Sequence, residues 1–168
     1  MEELLHIGKG APRTAEIDKV TGKAVYIDEY QRPGMLHGKI LYSKHAHARI
    51  SSINTDKAKA LPGVRAVLTG YDVPDVRVGF LGDQTLLKRD VVRQYRDEVA
   101  AVAAITPEIA EEACRLIEVE YEPLPAVFDP LEAMKPDAPL VHEVDARGRP
   151  LRSNILPLPW KLTAGDVE

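Results

Sequence analysis

The stretch Glu98-Val99-Ala100-Ala101-Val102-Ala103-Ala104-Ile105-Thr106-Pro107-Glu108-Ile109-Ala110-Glu111-Glu112-Ala113-Cys114-Arg115-Leu116-Ile117 decides the fold. Val99 to Ile105 is apolar at every position, the pattern of a strand covered on both faces, so a central strand is predicted there. Thr106 then supplies a side-chain oxygen for a helix N-cap, and Pro107 takes the first helical position. Ile109, Ala113, Leu116 and Ile117 recur on one stripe. A helix with one apolar stripe must pack on something, and the central strand predicts a sheet. Burying the three large side chains of the stripe contributes about 1.5 to 3 kcal/mol each before entropy is charged against them.

Working outward from that stretch, Val91-Val92 predicts a second strand, joined to Val99 through the polar Arg93-Gln94-Tyr95-Arg96-Asp97-Glu98 by a tight connection. Downstream, Glu118-Val119-Glu120-Tyr121-Glu122 alternates like a half-exposed strand and Pro123 ends it. Asp129-Pro130-Leu131-Glu132 combines a cap, a proline at the first helical position and a capping-box glutamate, which predicts a short helix. Upstream, Thr21-Gly22-Lys23 reads as a turn before the β-forming run Ala24 to Tyr30. Pro33-Gly34 turns the chain into a strand from Met35 to Tyr42, with Gly38 as a candidate bulge. A further strand is predicted over Arg49 to Ile53, and Thr55 or Asp56 caps a short helix through Ala60. Pro62-Gly63 stops that helix before the strand Val64 to Thr69, and a loop runs from Gly70 to Gly82. Beyond Met134 come Pro136, Pro139, Pro150, Pro157 and Pro159 without any apolar period, so the tail is expected to be extended. Short strands and two or three helices without regular alternation argue for an α+β fold.

The 168 residues are 45% hydrophobic and 29% charged, close to the average for globular proteins, and should fold. A net charge of -4, with no dense Lys or Arg run, argues against nucleic acid as a partner. No stretch approaches the roughly 20 apolar residues that cross a bilayer, and Met1 to His6 begins acidic where a secretory signal begins basic. A cytoplasmic location is therefore expected, with no membrane partner. Cys114 is the sole cysteine, so neither an intrachain disulfide, a four-thiolate iron–sulfur site nor a structural zinc site can be assembled from this chain.

Six motifs, the first in two parts, then fall in a recognisable order. Lys19-Val20-Thr21-Gly22-Lys23-Ala24-Val25-Tyr26 with Asp28 is followed by Pro33-Gly34-Met35-Leu36-His37-Gly38-Lys39-Ile40. Next come Ser43-Lys44-His45-Ala46-His47-Ala48-Arg49-Ile50 and Leu61-Pro62-Gly63-Val64-Arg65-Ala66-Val67-Leu68-Thr69. Glu98 to Ala104, Ile117 to Pro125, and Asp129-Pro130-Leu131-Glu132-Ala133 complete the series. From about Gly8 to Glu143 the chain resembles the opening of molybdenum hydroxylase large subunits, the xanthine dehydrogenase and aldehyde oxidase family. Ser153-Asn154-Ile155 and Gly165-Asp166-Val167-Glu168 resemble that family's chain just beyond, where the sequence stops.

The resemblance implies an α/β hammerhead domain over residues 18–134. An N-terminal extended segment, 1–17, would precede it, and an extended proline-rich segment, 135–168, would lead toward molybdopterin-binding domains. It further implies an N-terminal structural domain of a molybdenum-dependent hydroxylase or dehydrogenase, of xanthine dehydrogenase, aldehyde oxidase, CO dehydrogenase or hydroxybenzoyl-CoA reductase type. The family's catalytic glutamate and pterin-binding segments lie past this domain. No catalytic, cofactor-binding or metal-binding residue is therefore assigned here, and the chain alone is expected to be inactive. In the complete large subunit the resemblance implies molybdopterin, with [2Fe–2S] clusters and FAD on associated domains or subunits as partners. The rival expectation is a separately encoded assembly or binding module that joins a cofactor-bearing subunit. One departure from the family pattern is Arg96 and Glu98, where a glycine and then a proline are usual. Arg96 predicts a different turn type or local strain.

A few residues invite chemistry. His45 and His47, with His37, suggest a metal, since strand residues two apart share a face; the competing reading is hydrogen bonding and packing, and no carboxylate or thiolate completes the set. Ile7-Gly8-Lys9-Gly10 lacks the spacing of a phosphate loop. Asp28 with Glu29, and Glu111 with Glu112, are adjacent rather than facing carboxylates, and Glu111 is expected to pair with Arg115 four residues on. Cys114, with no histidine nearby in sequence, reads as a buried inert thiol. Ile155, Leu156, Leu158 and Trp160 make self-association through 136–168 an expectation.

Overall fold

A computed structural model describes residues 8, 10, 13, 15–79, 82–145, 147–155, 164 and 165. Cα packing divides the chain into two units, Met1–Met35 and Leu36–Glu168.

In the first unit, helix α1 spans Glu16–Val20 and so crosses the 17/18 boundary expected for the domain. The expected strand over Ala24 to Tyr30 does not form. The backbone is instead a 3-10 turn at Ile27–Glu29, where the Glu29 carboxylate accepts the Tyr26 N–H at 2.8 Å. β-Propensity reflects packing on a pleated surface more than backbone preference. Here Val25, Tyr26, Ile27 and Tyr30 are exposed, and among the described residues no strand pairs with them.

The second unit begins with strand β1, His37–Tyr42. There follow β2 Ala48–Asn54, α2 Asp56–Ala60, β3 Val64–Thr69, β4 Arg77–Val78, β5 Gln84–Thr85, β6 Val91–Val92, β7 Glu98–Ala104, α3 Pro107–Leu116, β8 Glu118–Pro123 and α4 Pro130–Ala133. Three antiparallel sheets result: β1-β7-β3, β6-β2-β8 and the ribbon β4-β5. β7 is central, as its sequence predicts. Ala101 faces Ile40 on one side and Leu68 on the other.

Val91-Val92 forms the expected second strand; β6 pairs with β2, while β7 joins the other sheet. The connection is tight, but it carries the chain between sheets instead of closing a hairpin. The irregularity in β1 lies between Leu41 and Tyr42 instead of at Gly38. The expected loop from Gly70 to Gly82 contains β4.

α3 begins as its sequence dictates, with the Thr106 hydroxyl oxygen accepting the Ile109 N–H at 3.3 Å. The buried face is rotated from the expected stripe and consists of Ala110, Ala113 and Cys114, with Ile117 just past the end. Ile109 and Leu116 sit at its margins, half-buried. Small side chains at the centre let the helix lie close to Ala100, Val102 and Ala104 of β7, with Ala58 and Val67 completing the cluster. Gly63 belongs to the same close approach. Its φ is 94°, and a Cβ there would stand 2.8 Å from the Ile109 methyl.

The other face of β7 carries Val99, which joins Ala48, Ile50 and Val92 in a second cluster. One strand therefore serves two cores, which accounts for its lack of polar alternation. At α4, Asp129 accepts the Leu131 and Glu132 N–H groups at 2.8 and 3.0 Å. The expected capping-box glutamate, Glu132, pairs with Lys135 instead of with the cap backbone. The tail is not wholly extended: the Asp145 N–H donates to the Arg149 carbonyl and the Gly148 N–H to the Asp145 carbonyl, beside a bridge between Val144 and Pro150.

Candidate functional site

The polar connection between β6 and β7 builds the most structured polar site among the described residues. Asp97 is 1% exposed. One of its carboxylate oxygens accepts the backbone N–H groups of Arg93 at 2.6 Å and Gln94 at 3.2 Å, which folds the connection into a turn. Arg96 closes that turn with φ 71°, a left-handed backbone, so of the two expected outcomes, a different turn type or local strain, the structure shows strain. Its guanidinium stacks 4.7 Å over the Tyr42 ring, and its N–H donates to the Ser43 carbonyl at 3.1 Å.

The other Asp97 oxygen lies 3.6 Å from Lys88 Nζ. Lys88, 7% exposed, comes from the loop between β5 and β6 and donates to Gln84 Oε1 at 3.0 Å. Its backbone N–H is fixed by the Glu98 carbonyl at 2.8 Å, so loop and turn are tied at both levels. A buried ion pair of this kind costs desolvation on both sides, and removing one partner strands the other. Next to it, Arg89 donates to the carbonyls of Gly70 and Val73. The backbone approaches so closely there that a Cβ on Gly70 would meet Arg89 Cγ at 2.6 Å and the Lys88 carbonyl oxygen at 2.8 Å.

These groups line a cleft of about 230 Å³ that extends to His142. Arg93 reaches across to donate to the Val141 carbonyl at 2.9 Å, and the Asn154 side chain holds the same segment by accepting the Val141 N–H at 2.8 Å. Burial draws the Arg93 guanidinium below its ordinary pKa, with Asp97 opposing. Burial likewise lowers the His142 imidazole, reinforced by Arg93, although Asp83 stands 3.5 Å away and pulls the other way. An apolar groove of about 270 Å³ adjoins the cleft across Arg93 and Gln94, lined by Pro125 to Phe128 and by Pro139 to Val141.

The residues singled out in sequence lie elsewhere. His45 packs against the Tyr121 ring at 4.7 Å, and His47 Nδ1 is 2.6 Å from the Pro125 carbonyl. His37 stands on β1 opposite Ala104. Among the described residues no three His, Cys, Asp or Glu side chains converge on a common point. Cys114 is buried, and burial pushes its thiol pKa up. Glu111 pairs with Arg115 at 2.7 Å as the spacing required, and Glu112 joins at 3.0 Å. Asp28 and Glu29 lie in the 3-10 turn of the first unit. Of Ile7-Gly8-Lys9-Gly10, Ile7 and Lys9 lie outside the described residues. The sequence signal for the cleft was the charge-dense run Lys88 to Glu98. Nothing in its order says that Lys88 and Asp97 are buried and opposed.

Among the described residues the second unit is an α+β arrangement of short antiparallel strands with helix α3 packed on a central strand. Similarity to known proteins identifies the class. The family described as "Aldehyde oxidase and xanthine dehydrogenase, a/b hammerhead domain" matches residues 21–125, and the chain belongs to that family. The carbon monoxide dehydrogenase large chain of Afipia carboxidovorans is 46% identical over 147 residues, covering 84% of this chain and 18% of its own length. The xanthine dehydrogenase molybdenum-binding subunit of Escherichia coli O157:H7 is 38% identical over 143 residues, covering 77% and 19%. The solved structure of a Cu,Mo-CO dehydrogenase superposes with a TM-score of 0.73 at 46% identity over 79% of this chain and 17% of that one. The chain thus spans less than a fifth of the length of these relatives, as a hammerhead domain of molybdenum hydroxylase large subunits does.

Proposed function

We propose that this domain acts as a non-catalytic scaffold in a molybdopterin-dependent oxidoreductase large subunit, helping to seat the cofactor-bearing domains. The observation that carries this reading is uncovered apolar surface. Phe128 is 84% exposed, and Leu131 and Met134 on and beside α4 are exposed with it. In the first unit Ile17, Val20, Ile27 and Tyr30 are exposed, and neither α1 nor the 3-10 turn buries a single residue. Apolar surface of this extent marks contact with another body, and relatives of which the match covers only 18% contain further chain that could supply one.

On this reading no residue here is assigned to the molybdenum cofactor, and no step of any reaction to this chain. Molybdopterin belongs, on this reading, to the rest of the large subunit, with [2Fe–2S] and FAD on further domains or subunits, and the location is cytoplasmic. No described helix is long and apolar enough to cross a membrane. Self-association through 136–168 is part of the proposal. Ile155 is exposed there, while Leu156, Leu158 and Trp160 lie outside the described residues. Sedimentation of the chain and of a version ending at His142 tests it, with concentration dependence expected only for the longer one.

The scaffold reading is tested by elemental analysis and a visible spectrum of the purified chain. Molybdenum, iron and flavin are expected below stoichiometric amounts, with no oxidation of carbon monoxide, purines or aldehydes. Stoichiometric molybdenum surviving a chelating wash would overturn it.

A further inference from the structure

We infer that the cleft between the β4-β5 ribbon, the β6-β7 turn and the His142 segment is a binding site for a small oxyanion, of the phosphate or carboxylate class, held by Arg77, Lys88 and Arg93. This inference stands apart from the scaffold reading and does not depend on it.

The cleft's volume of about 230 Å³ exceeds what a phosphate or carboxylate group with a water or two requires. Its lining carries both signs of charge, so the argument turns on which groups are already engaged. Asp97 is held by two backbone N–H groups and by Lys88, and Asp75 lies 4.0 Å from Arg89, whose own donors go to Gly70 and Val73. Asp83 faces His142, and Asp90 is reached by the Tyr71 hydroxyl at 3.5 Å.

The cations are less fully used. Lys88 Nζ has three donors, of which Gln84 takes one at hydrogen-bond distance while the Asp97 oxygen stands off at 3.6 Å. Arg93 directs its donors to the carbonyls of Val141 and Val91, neither of them charged. Among the described residues no carboxylate comes within 4.0 Å of the Arg77 or Arg93 guanidinium nitrogens. Arg77 projects from the exposed two-residue strand β4.

At His142 the acting cations are Arg93, Arg77 and Lys88 and the acting carboxylate is Asp83, while Asp97, Glu143 and Asp90 act on Arg93 and Asp75 stands by Arg89. Three cations therefore face the imidazole against one carboxylate, although the lining as a whole is balanced. A half-buried guanidinium at Arg93, an exposed one at Arg77 and a lysine with an unused donor favour a multidentate oxyanion over water.

The experiment follows the His142 imidazole by NMR while inorganic phosphate, and separately acetate, is titrated at constant ionic strength. Saturable one-to-one shifts at millimolar concentration are expected, with the His142 pKa rising as the bound anion offsets the three cations. A response to phosphate alone assigns the phosphate class, and a response to both assigns the oxyanion group in general. Arg77→Gln, which leaves the buried pair untouched, should weaken binding at least tenfold. Arg49→Gln, whose partner is Glu122 on another sheet, should not change it. Linear shifts without saturation, or shifts equal in the Arg77→Gln protein, would overturn the assignment.

Discussion

β7 divides this domain into two neighbourhoods assembled by different rules. On one face, Ala100, Val102 and Ala104 meet Ala110, Ala113 and Cys114 of α3 in a cluster without a charged member. At the strand's other end, one residue before Glu98, Asp97 and Lys88 are also buried, yet they are held by an ion pair and backbone N–H groups. The first neighbourhood is fixed by shape and apolar area, and each loss there is graded. The second is fixed by charge and hydrogen-bond geometry, and losing one member leaves the others unsatisfied.

That contrast is broken most severely by Asp97→Ala. It strands the Lys88 ammonium and two backbone N–H groups, and equilibrium denaturation should show a loss of about 3 to 5 kcal/mol. Pairing Lys88→Met with Asp97→Leu should recover part of that loss. Recovery will be incomplete, because the Arg93 and Gln94 N–H groups stay unpaired. On the apolar side, Ile117→Ala should cost about 2 to 5 kcal/mol, whereas Leu116→Ala, at the margin of the buried face, should cost less. Equal losses would return the stripe to its sequence-read position. Thr106→Ala should cost about 0.5 to 2 kcal/mol through loss of the α3 cap.

The smallest effect concerns pH. His142 has its folded pKa drawn below the unfolded value near 6.5, by burial first and Arg93 second. The unfolded chain therefore binds the proton more readily, so this contribution to stability is full above the unfolded pKa and is lost as pH falls through the folded one. Thermal unfolding from pH 8 to pH 5 should show a steeper loss for the natural chain than for His142→Gln. Parallel profiles would remove His142 from the account.

The two neighbourhoods also differ in how far the sequence could be read. The central strand, the Thr106-Pro107 start of α3 and the Asp129 cap were legible because each depends on residues within four positions, as did the Glu111–Arg115 pair. The departure at Arg96 was legible as a different turn type or local strain, and the backbone there is left-handed. The rotation of the α3 face was not, because alanine and cysteine carry a weak hydrophobic signal, and only the nearness of β7 makes small residues the better choice. The strand expected at Ala24 to Tyr30 failed because propensity does not supply a pairing partner. The cleft was illegible for a related reason. A charged run normally reads as a solvated connection, and the burial of Lys88 and Asp97 depends on a loop and a turn meeting across the β5–β7 region.

The central claim is that β7, with α3 on it, is the structural keel of a hammerhead domain that folds without any cofactor. Amide hydrogen exchange of the metal-free chain tests this most directly, since it resolves stability residue by residue. The account predicts one cooperative unit, with slowest exchange at Val99 to Ala104 and Ala110 to Cys114, and with the Glu16 to Tyr30 amides exchanging fast. Uniformly fast exchange along β7 and α3 in the metal-free chain would contradict it.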